Sequence, residues 1–293
     1  MKKGLIMEGG AMRGMFTAGV IDVMMEHGIV LDGAIGVSAG AAFGCNYKSG
    51  QIGRAIRYNA RYCTDKRYGG FGVLLKTGDY YSAKFCYDEI PNKYDPFDYD
   101  AFEKNPMEFY AVCTDVDTGE AEYHKYEGRH DHGLDWIRAS SSMPLVSRMV
   151  EIEGRKFLDG AMADSIPVRF FESIGYDRNM VILTQPLGYV KKKDKLLPLI
   201  KLRYRKYPKL LQAILSREQH YNETLEYIRR REEAGELLVI RPPQKLPIER
   251  TEKDPQVLWQ VYEIGRKEAE ARIGEIQAFF AQGEGTHETD PSV

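Results

Sequence analysis

Residues Gly36-Val37-Ser38-Ala39-Gly40 place a serine at the centre of a G-x-S-x-G pentapeptide. It lies between a short apolar run, Ala34 to Val37, and a small-residue segment, Ala39 to Asn46. Read as strand, sharp turn and helix, this order presents a hydroxyl at a helix N-terminus above the end of a sheet. Small neighbours permit the tight turn, and the helix amides and dipole can stabilise negative charge developing beside the serine. Such a hydroxyl is suited to attack on a carbonyl. Glycine and serine are also common in loops, so the pentapeptide by itself does not establish an enzyme.

A second group, Gly9-Gly10-Ala11-Met12-Arg13-Gly14, separates the first apolar run from the first helical pattern. Small residues there let backbone N–H groups point into open space at a helix N-terminus, which suits a phosphate or an oxyanion. Dinucleotide binding would need an acidic residue at the end of the second strand, about twenty residues on. That strand ends instead in Val37-Ser38. The six histidines are scattered, and His130-Asp131-His132 sits in a charged, Gly-flanked segment that reads as loop, so no metal site is expected. His220 and His287 fall in a helical and a tail context, which argues against a Ser-His-Asp triad. Cys45, Cys63, Cys86 and Cys113 lack paired spacing and read as reduced and mostly buried.

The elements that must position these groups follow from periodicity. Gly4 to Met7 reads as a strand, and Phe16, Val20, Val23, Met24 and His27 recur at helical spacing. The Leu31-Asp32-Gly33 turn then leads into the strand Ala34 to Val37. Strand, helix, strand in this order makes a parallel pair whose C-terminal ends carry both the glycine loop and Ser38. Tyr58 to Asn105, rich in Tyr, Gly, Asp and Asn, predicts loops and short helices that could wall the site. Further strands are predicted at Phe109 to Cys113, Glu122 to Lys125, Met149 to Ile152, Lys156 to Leu158, Val181 to Thr184 and Leu237 to Ile240. Helices are predicted over Leu134 to Ser141 and Val168 to Ser173, and a last helix is capped by Asp254-Pro255.

The chain has 293 residues, 43% of them hydrophobic, and a net charge of -2, so neither global disorder nor a nucleic-acid-binding field is indicated. No apolar run is long enough for a signal-peptide core or a membrane span, which predicts a cytoplasmic or peripherally membrane-associated protein. Between Lys191 and Arg217 ten Lys or Arg face a single acid, Asp194, and alternate with leucines and tyrosines. This basic amphipathic stretch reads either as a solvated helical face or as a surface for anionic lipid headgroups.

The glycine loop, the elbow one crossover later, and Phe157-Leu158-Asp159-Gly160-Ala161 further on together resemble the patatin-like phospholipase family. Its pattern is a G-G-G-x-[RK]-G loop, a G-x-S-x-G elbow and a D-G-[GA] motif, and Ala139-Ser140-Ser141-Ser142-Met143-Pro144 is similar to its small-residue and proline block. The resemblance implies a three-layer α/β/α sandwich with a mainly parallel central sheet over residues 1–185. It also implies a basic, mostly helical C-terminal extension over 186–282 and a flexible tail over 283–293. It makes Ser38 the nucleophile, Asp159 the general base, and Gly10 and Ala11 the oxyanion-hole donors with Arg13 beside them. Ala11 replaces the third glycine of the loop, and its role requires the backbone there to stay at negative φ.

The implied activity is hydrolysis of the carboxylic ester of a phospholipid or lysophospholipid through an acyl-enzyme, with no cofactor or metal. Low-turnover lipid binding and acyl transfer to an alcohol remain alternatives on the same residues. Asp164 reads as a turn residue near the site, and Asp115 and Asp117 as turn formers of the Asp117-Thr118-Gly119 hairpin.

Overall fold

A computed structural model describes residues 1–281 of the chain. The expected tail, 283–293, and the last residue of the expected extension lie outside the described residues. Eight strands form one sheet: β1 (Lys2–Met7), β2 (Gly33–Val37), β3 (Glu108–Asp115), β4 (Ala121–Lys125), β5 (Val150–Ile152), β6 (Arg155–Asp159), β7 (Tyr176–Ile182) and β8 (Leu237–Ile240). Their order is β5-β6-β3-β2-β1-β7-β8, with β4 paired to β3. The pairings from β3 through β2, β1 and β7 to β8 are parallel, and those among β3, β4, β5 and β6 are antiparallel.

The pleat sorts each strand between two apolar layers. In β1, Leu5 and Met7 enter one layer and Ile6 the other. The first layer holds α1 (Gly14–Glu26), α2 (Ala39–Ser49), α3 (Arg54–Tyr62), α5 (Tyr99–Lys104) and α6 (Asp135–Ser140), while α4 (Phe71–Thr77) buries no residue. The second holds α7 (Val168–Ser173), α8 (Leu197–Arg203) and α9 (Pro208–Glu233). Two last helices, α10 (Pro255–Ala271) and α11 (Ile273–Ala281), return to the first layer. The architecture is therefore a three-layer α/β/α sandwich with a mainly parallel sheet. Residues from the C-terminal third do more than cover it, because β8 adds to β7 as the edge strand.

Three expectations change. The seventh strand starts at Tyr176 rather than Val181 and ends before Thr184, and the first starts at Lys2. Their polar beginnings pair with each other, Lys2 with Tyr176 and Lys3 with Arg178, so the ladder continues beyond the core where no apolar run reports it. The single last helix is two, with a turn at Arg272. There the Arg272 guanidinium donates to the Val239 carbonyl at 2.6 Å and so ties the bend to β8. The Tyr58 to Asn105 region carries the short helices α4 and α5 and a wide π-helical segment, Phe85–Tyr94. Pro91 supplies no N–H to this segment, and the Asp95 amide reaches the Ile90 carbonyl five residues back.

Helix α1 is buried all round rather than along one stripe, because α10 lies across its outer face. The crossing is close enough to exclude side chains. A Cβ on Gly19 would sit 2.1 Å from the Tyr262 carbonyl oxygen, and one on Gly265 would sit 2.1 Å from that of Phe16. Helix propensity alone would make Gly265→Ala stabilising by about 1 kcal/mol. The crossing reverses the sign, and urea unfolding of Gly265→Ala is expected to show a loss of about 1–3 kcal/mol. A gain in midpoint would refute this reading of the crossing.

Candidate active site

Ser38 ends β2 and begins α2 at φ 56°, ψ -120°, a region that a residue with a Cβ rarely occupies. The neighbouring glycines are needed because three backbones meet there. A Cβ on Gly36 would lie 2.4 Å from the Gly40 carbonyl carbon, and one on Gly40 would lie 2.3 Å from the Met7 carbonyl oxygen. Ser38 is the N-cap of α2, yet its side chain makes no capping hydrogen bond, so the hydroxyl stays available. Its amide donates to Ser140 Oγ at 2.9 Å, which ties the elbow to α6. The side chain is 7% exposed.

Asp159 ends β6 opposite Cys113 and is 2% exposed. Its amide donates to the Ser142 carbonyl at 2.8 Å, its carbonyl accepts from the Thr114 hydroxyl at 2.9 Å, and its Oδ1 accepts from the Ala161 amide at 2.8 Å. The block Ala139 to Pro144 thus holds both candidates, Ser38 through Ser140 and Asp159 through Ser142. Burial pushes the Asp159 carboxyl above its ordinary range, against the opposing pull of the Ala161 amide, the Ser38 hydroxyl and the charges of Arg217 and Lys191. Ser38 lies near enough to act on that carboxylate, without the full geometry of a hydrogen bond; such contacts commonly tighten as reacting groups align. Asp164 accepts instead from Tyr123 and from the Ile166 amide, with His220 near it rather than near Asp159. Asp115 accepts from the Asp117 and Thr118 amides, as a turn former does.

Ser38 opens into a cavity of about 750 Å³. Tyr58, Tyr68, Tyr81, Cys86 and Tyr87 line part of it, so the Tyr-rich region supplies an aromatic wall. The basic segment also lines it, through Lys191 to Leu197, Ile200, Ile214 and Arg217. Periodicity gives no sign of this inward role, because a lysine run looks the same whether it faces water or a cavity mouth. Glu8, at the end of β1, is 2% exposed and likewise carries no motif. Its carboxylate accepts from the Thr184 amide at 2.6 Å and from the Tyr221 hydroxyl at 2.5 Å, which joins β1, the segment after β7, and α9 behind the site.

The glycine loop runs alongside the elbow, since a Cβ on Gly9 would lie 3.0 Å from Ser38 Cβ. Among the described residues the Gly10 and Ala11 amides have no backbone acceptor, whereas Met12 and Arg13 amides do. One expectation about this loop fails. Ala11 sits at φ 50°, not at negative φ, because the chain must reverse between the strand end and the short 3-10 turn Ala11–Arg13. Arg13 Nε is buried without a hydrogen-bond partner, and the Arg13 charge acts on Lys191 and Tyr221. A left-handed alanine is strained by about 1 kcal/mol, which a glycine relieves. Thermal unfolding of Ala11→Gly is expected to show a raised midpoint, and a lowered one would contradict the strain.

Comparison with known proteins gives this site a context. A family described as "Patatin-like phospholipase" matches residues 5–171, and one described as a domain of unknown function, DUF6363, matches residues 207–281. The uncharacterized protein YjjU of Escherichia coli (strain K12) is 31% identical over 191 residues, which are 62% of this chain and 52% of that protein. Lysophospholipase NTE1 of Chaetomium globosum is 27% identical over 183 residues, 59% of this chain and 11% of that protein. The chain therefore spans about half the length of the first relative and about a tenth of the second. The crystal structure of VipD from Legionella pneumophila aligns with 94% of this chain and 67% of its own, at 12% identity and a TM-score of 0.47. With more than half of its residues, including Ser38 and Asp159, inside the first family match, the chain belongs to the patatin-like phospholipase family.

Proposed function

We propose that this protein is a serine acyl hydrolase that cleaves the carboxylic ester of a phospholipid or lysophospholipid. The observation that carries the reading is the pairing of a strained, uncapped Ser38 with the buried carboxylate of Asp159 beside a cavity with an aromatic wall. Ser38 Oγ attacks the ester carbonyl carbon while Asp159 takes its proton. The oxyanion that forms accepts from the Gly10 amide and from the Ala11 amide, which even at positive φ has no backbone acceptor among the described residues and stands at the cavity lining. Collapse breaks the ester bond, and Asp159 returns the proton to the departing alcohol. Water then attacks the acyl-enzyme by the same route, releasing the fatty acid and regenerating Ser38. Partial desolvation makes the aspartate a better base than in water, which lets it act without histidine. The match to lysophospholipases supports a lipid ester as the substrate.

The cavity mouth supports contact with a lipid surface. Val190, Leu196, Leu199 and Leu202 are exposed, and Lys192, Lys193 and Lys195 are exposed beside them. An apolar edge rimmed by cations lowers its free energy at an anionic interface, so residues 191–217 form the membrane-facing edge in this reading. Among the described residues no helix is long and apolar enough to cross a membrane, so contact here is peripheral.

Hydrolysis of p-nitrophenyl butyrate is expected to fall at least about a thousandfold in Ser38→Ala and at least about a hundredfold in Asp159→Asn. Wild-type rates in either variant would sink the assignment. Since the base must be ionised and burial raises its pKa, kcat/KM is expected to decline as pH falls through a value above the ordinary 3.8. A profile flat down to pH 4 would remove Asp159 as the base. The double variant Leu199→Ser, Leu202→Ser is expected to weaken sedimentation with phosphatidylglycerol vesicles about tenfold, and added salt should weaken it further. Binding indifferent to both changes would place the lipid edge elsewhere.

A further inference from the structure

Six cations from the C-terminal part of the chain line the same cavity as Ser38; Lys192, Lys193 and Lys195 are exposed at its mouth, and three others are set apart from that run or less exposed. These three are Lys191 before α8, Arg217 on α9, and Arg250 between β8 and α10. Many of the chain's other arginines pair with carboxylates, among them Arg155 with Asp115 and Glu122, Arg229 with Glu226 and Glu233, and Arg266 with Glu26. Among the described residues, no carboxylate lies within salt-bridge distance of Lys191, Arg217 or Arg250. Arg217 Nε is buried without a hydrogen-bond partner, and the Lys191 ammonium lies 4.6 Å from the Tyr221 ring.

The nearby acids act on these cations only from a distance, and among the described residues none forms an ion pair with them. Glu8 accepts from Thr184 and Tyr221, Asp159 from the Ala161 amide, and Asp194 from the Leu196 amide, while Glu218 stands on α9 at the lining. Desolvation comes first, and the charges of Arg217, Arg250 and Arg13 add to it, in holding Lys191 down at about 8 against a partial pull from Glu8. Arg217 is lowered as well, mainly by burial. Leaving a guanidinium N–H buried and unpaired is unfavourable, and a bound anion removes that penalty together with the mutual repulsion.

The two faces of the cavity differ in chemistry. Its aromatic side comes from the layer containing α2 and α3, and its cationic side from α8, α9 and the loops around them, with Ser38 at the sheet end between the two. We propose that Lys191, Arg217 and Arg250 form a subsite for a phosphate carried by the substrate's alcohol part, while the acyl chain lies along the aromatic wall. The favoured substrate is then an acyl ester of a phosphorylated alcohol rather than a neutral glyceride. This rests on the hydrolase reading of the same site and adds to it the residues that hold the phosphate and set the preference for phosphorylated over neutral esters.

The test compares kcat/KM for 1-oleoylglycerol 3-phosphate and 1-oleoylglycerol in the same mixed micelles, in the full chain. Wild type is expected to favour the phosphorylated ester at least about tenfold, and Arg217→Gln to reduce that ratio about tenfold, mainly through KM. Losses common to both esters cancel in the ratio, and Arg217→Lys should restore much of the preference. Equal rates on the two esters in wild type would overturn the subsite and leave the hydrolase standing.

A second measurement does not depend on turnover. Calorimetry on Ser38→Ala should show saturable binding of glycerol 3-phosphate but not of glycerol, weakened about tenfold by adding Arg217→Gln. Inorganic phosphate bound as tightly as glycerol 3-phosphate would indicate a free-anion site and reject a substrate subsite, as would no binding. If neither ester is hydrolysed, the hydrolase reading fails, and calorimetry still decides whether the phosphate is held.

Discussion

The meeting of three backbones at the C-terminal ends of β1 and β2 is the constraint on which the rest of the site depends. The carbonyl of Met7, the turn at Gly36 and the first turn of α2 at Gly40 lie so close that no Cβ fits between them. That closeness forces the chain to reverse within one residue, and the residue at the reversal is a serine at positive φ. Everything else that touches Ser38 is placed relative to this crossing. The glycine loop passes within van der Waals contact of it, α6 binds its amide through Ser140, and α6 leads into the block that also holds Asp159. Strain in the elbow is sustained because the packed sheet and both helical layers fix its ends.

Around this rigid centre the electrostatics are shared between the two parts of the chain. Of the buried carboxylates in the matched family region, Glu8 and Asp159 stand at this centre. The C-terminal third answers with Tyr221, which donates to Glu8, and with Lys191 and Arg217, whose charges act on Asp159. A base buried in low dielectric would be driven toward its neutral form, and the Ala161 amide and the two cations oppose that drive. The level at which Asp159 titrates is thus a joint property of β6 and of residues more than thirty positions later. Through α10 against α1, and β8 against β7, the same C-terminal third is also part of the core.

Much of this was legible in the sequence where local chemistry and local geometry coincide. Glycines on either side of Ser38, an Asp-Gly after a hairpin, and small residues before Pro144 each report a backbone that must turn tightly. Strands buried on both faces appear as apolar runs, and Asp254-Pro255 caps α10 with the Asp254 side chain accepting from the Gln256 amide. Reading failed where the determining contact is distant. The polar start of β7 is held by Lys2 and Lys3 across the ladder, the bend at Arg272 is tied to a carbonyl of β8, and the burial of α1 on every side is due to α10. Ala11 shows the limit of substituting one small residue for another, since its identity preserves an amide but says nothing of the φ that the loop imposes.

The sequence by itself determined the order of motifs, the strand-helix-strand unit that brings the glycine loop and Ser38 to one end of a sheet, and the basic character of residues 191–217. Those features depend on residue type and on spacing along the chain, which a sequence carries in full. Only the tertiary structure decided that Asp159 is desolvated beside Ser38, that Arg13 Nε is buried without a hydrogen-bond partner, that Glu8 joins three segments behind the site, and that part of the lysine-rich segment faces inward. The physical reason is that burial and charge at a point are sums over neighbours from every layer, and those neighbours are assigned by packing rather than by sequence separation.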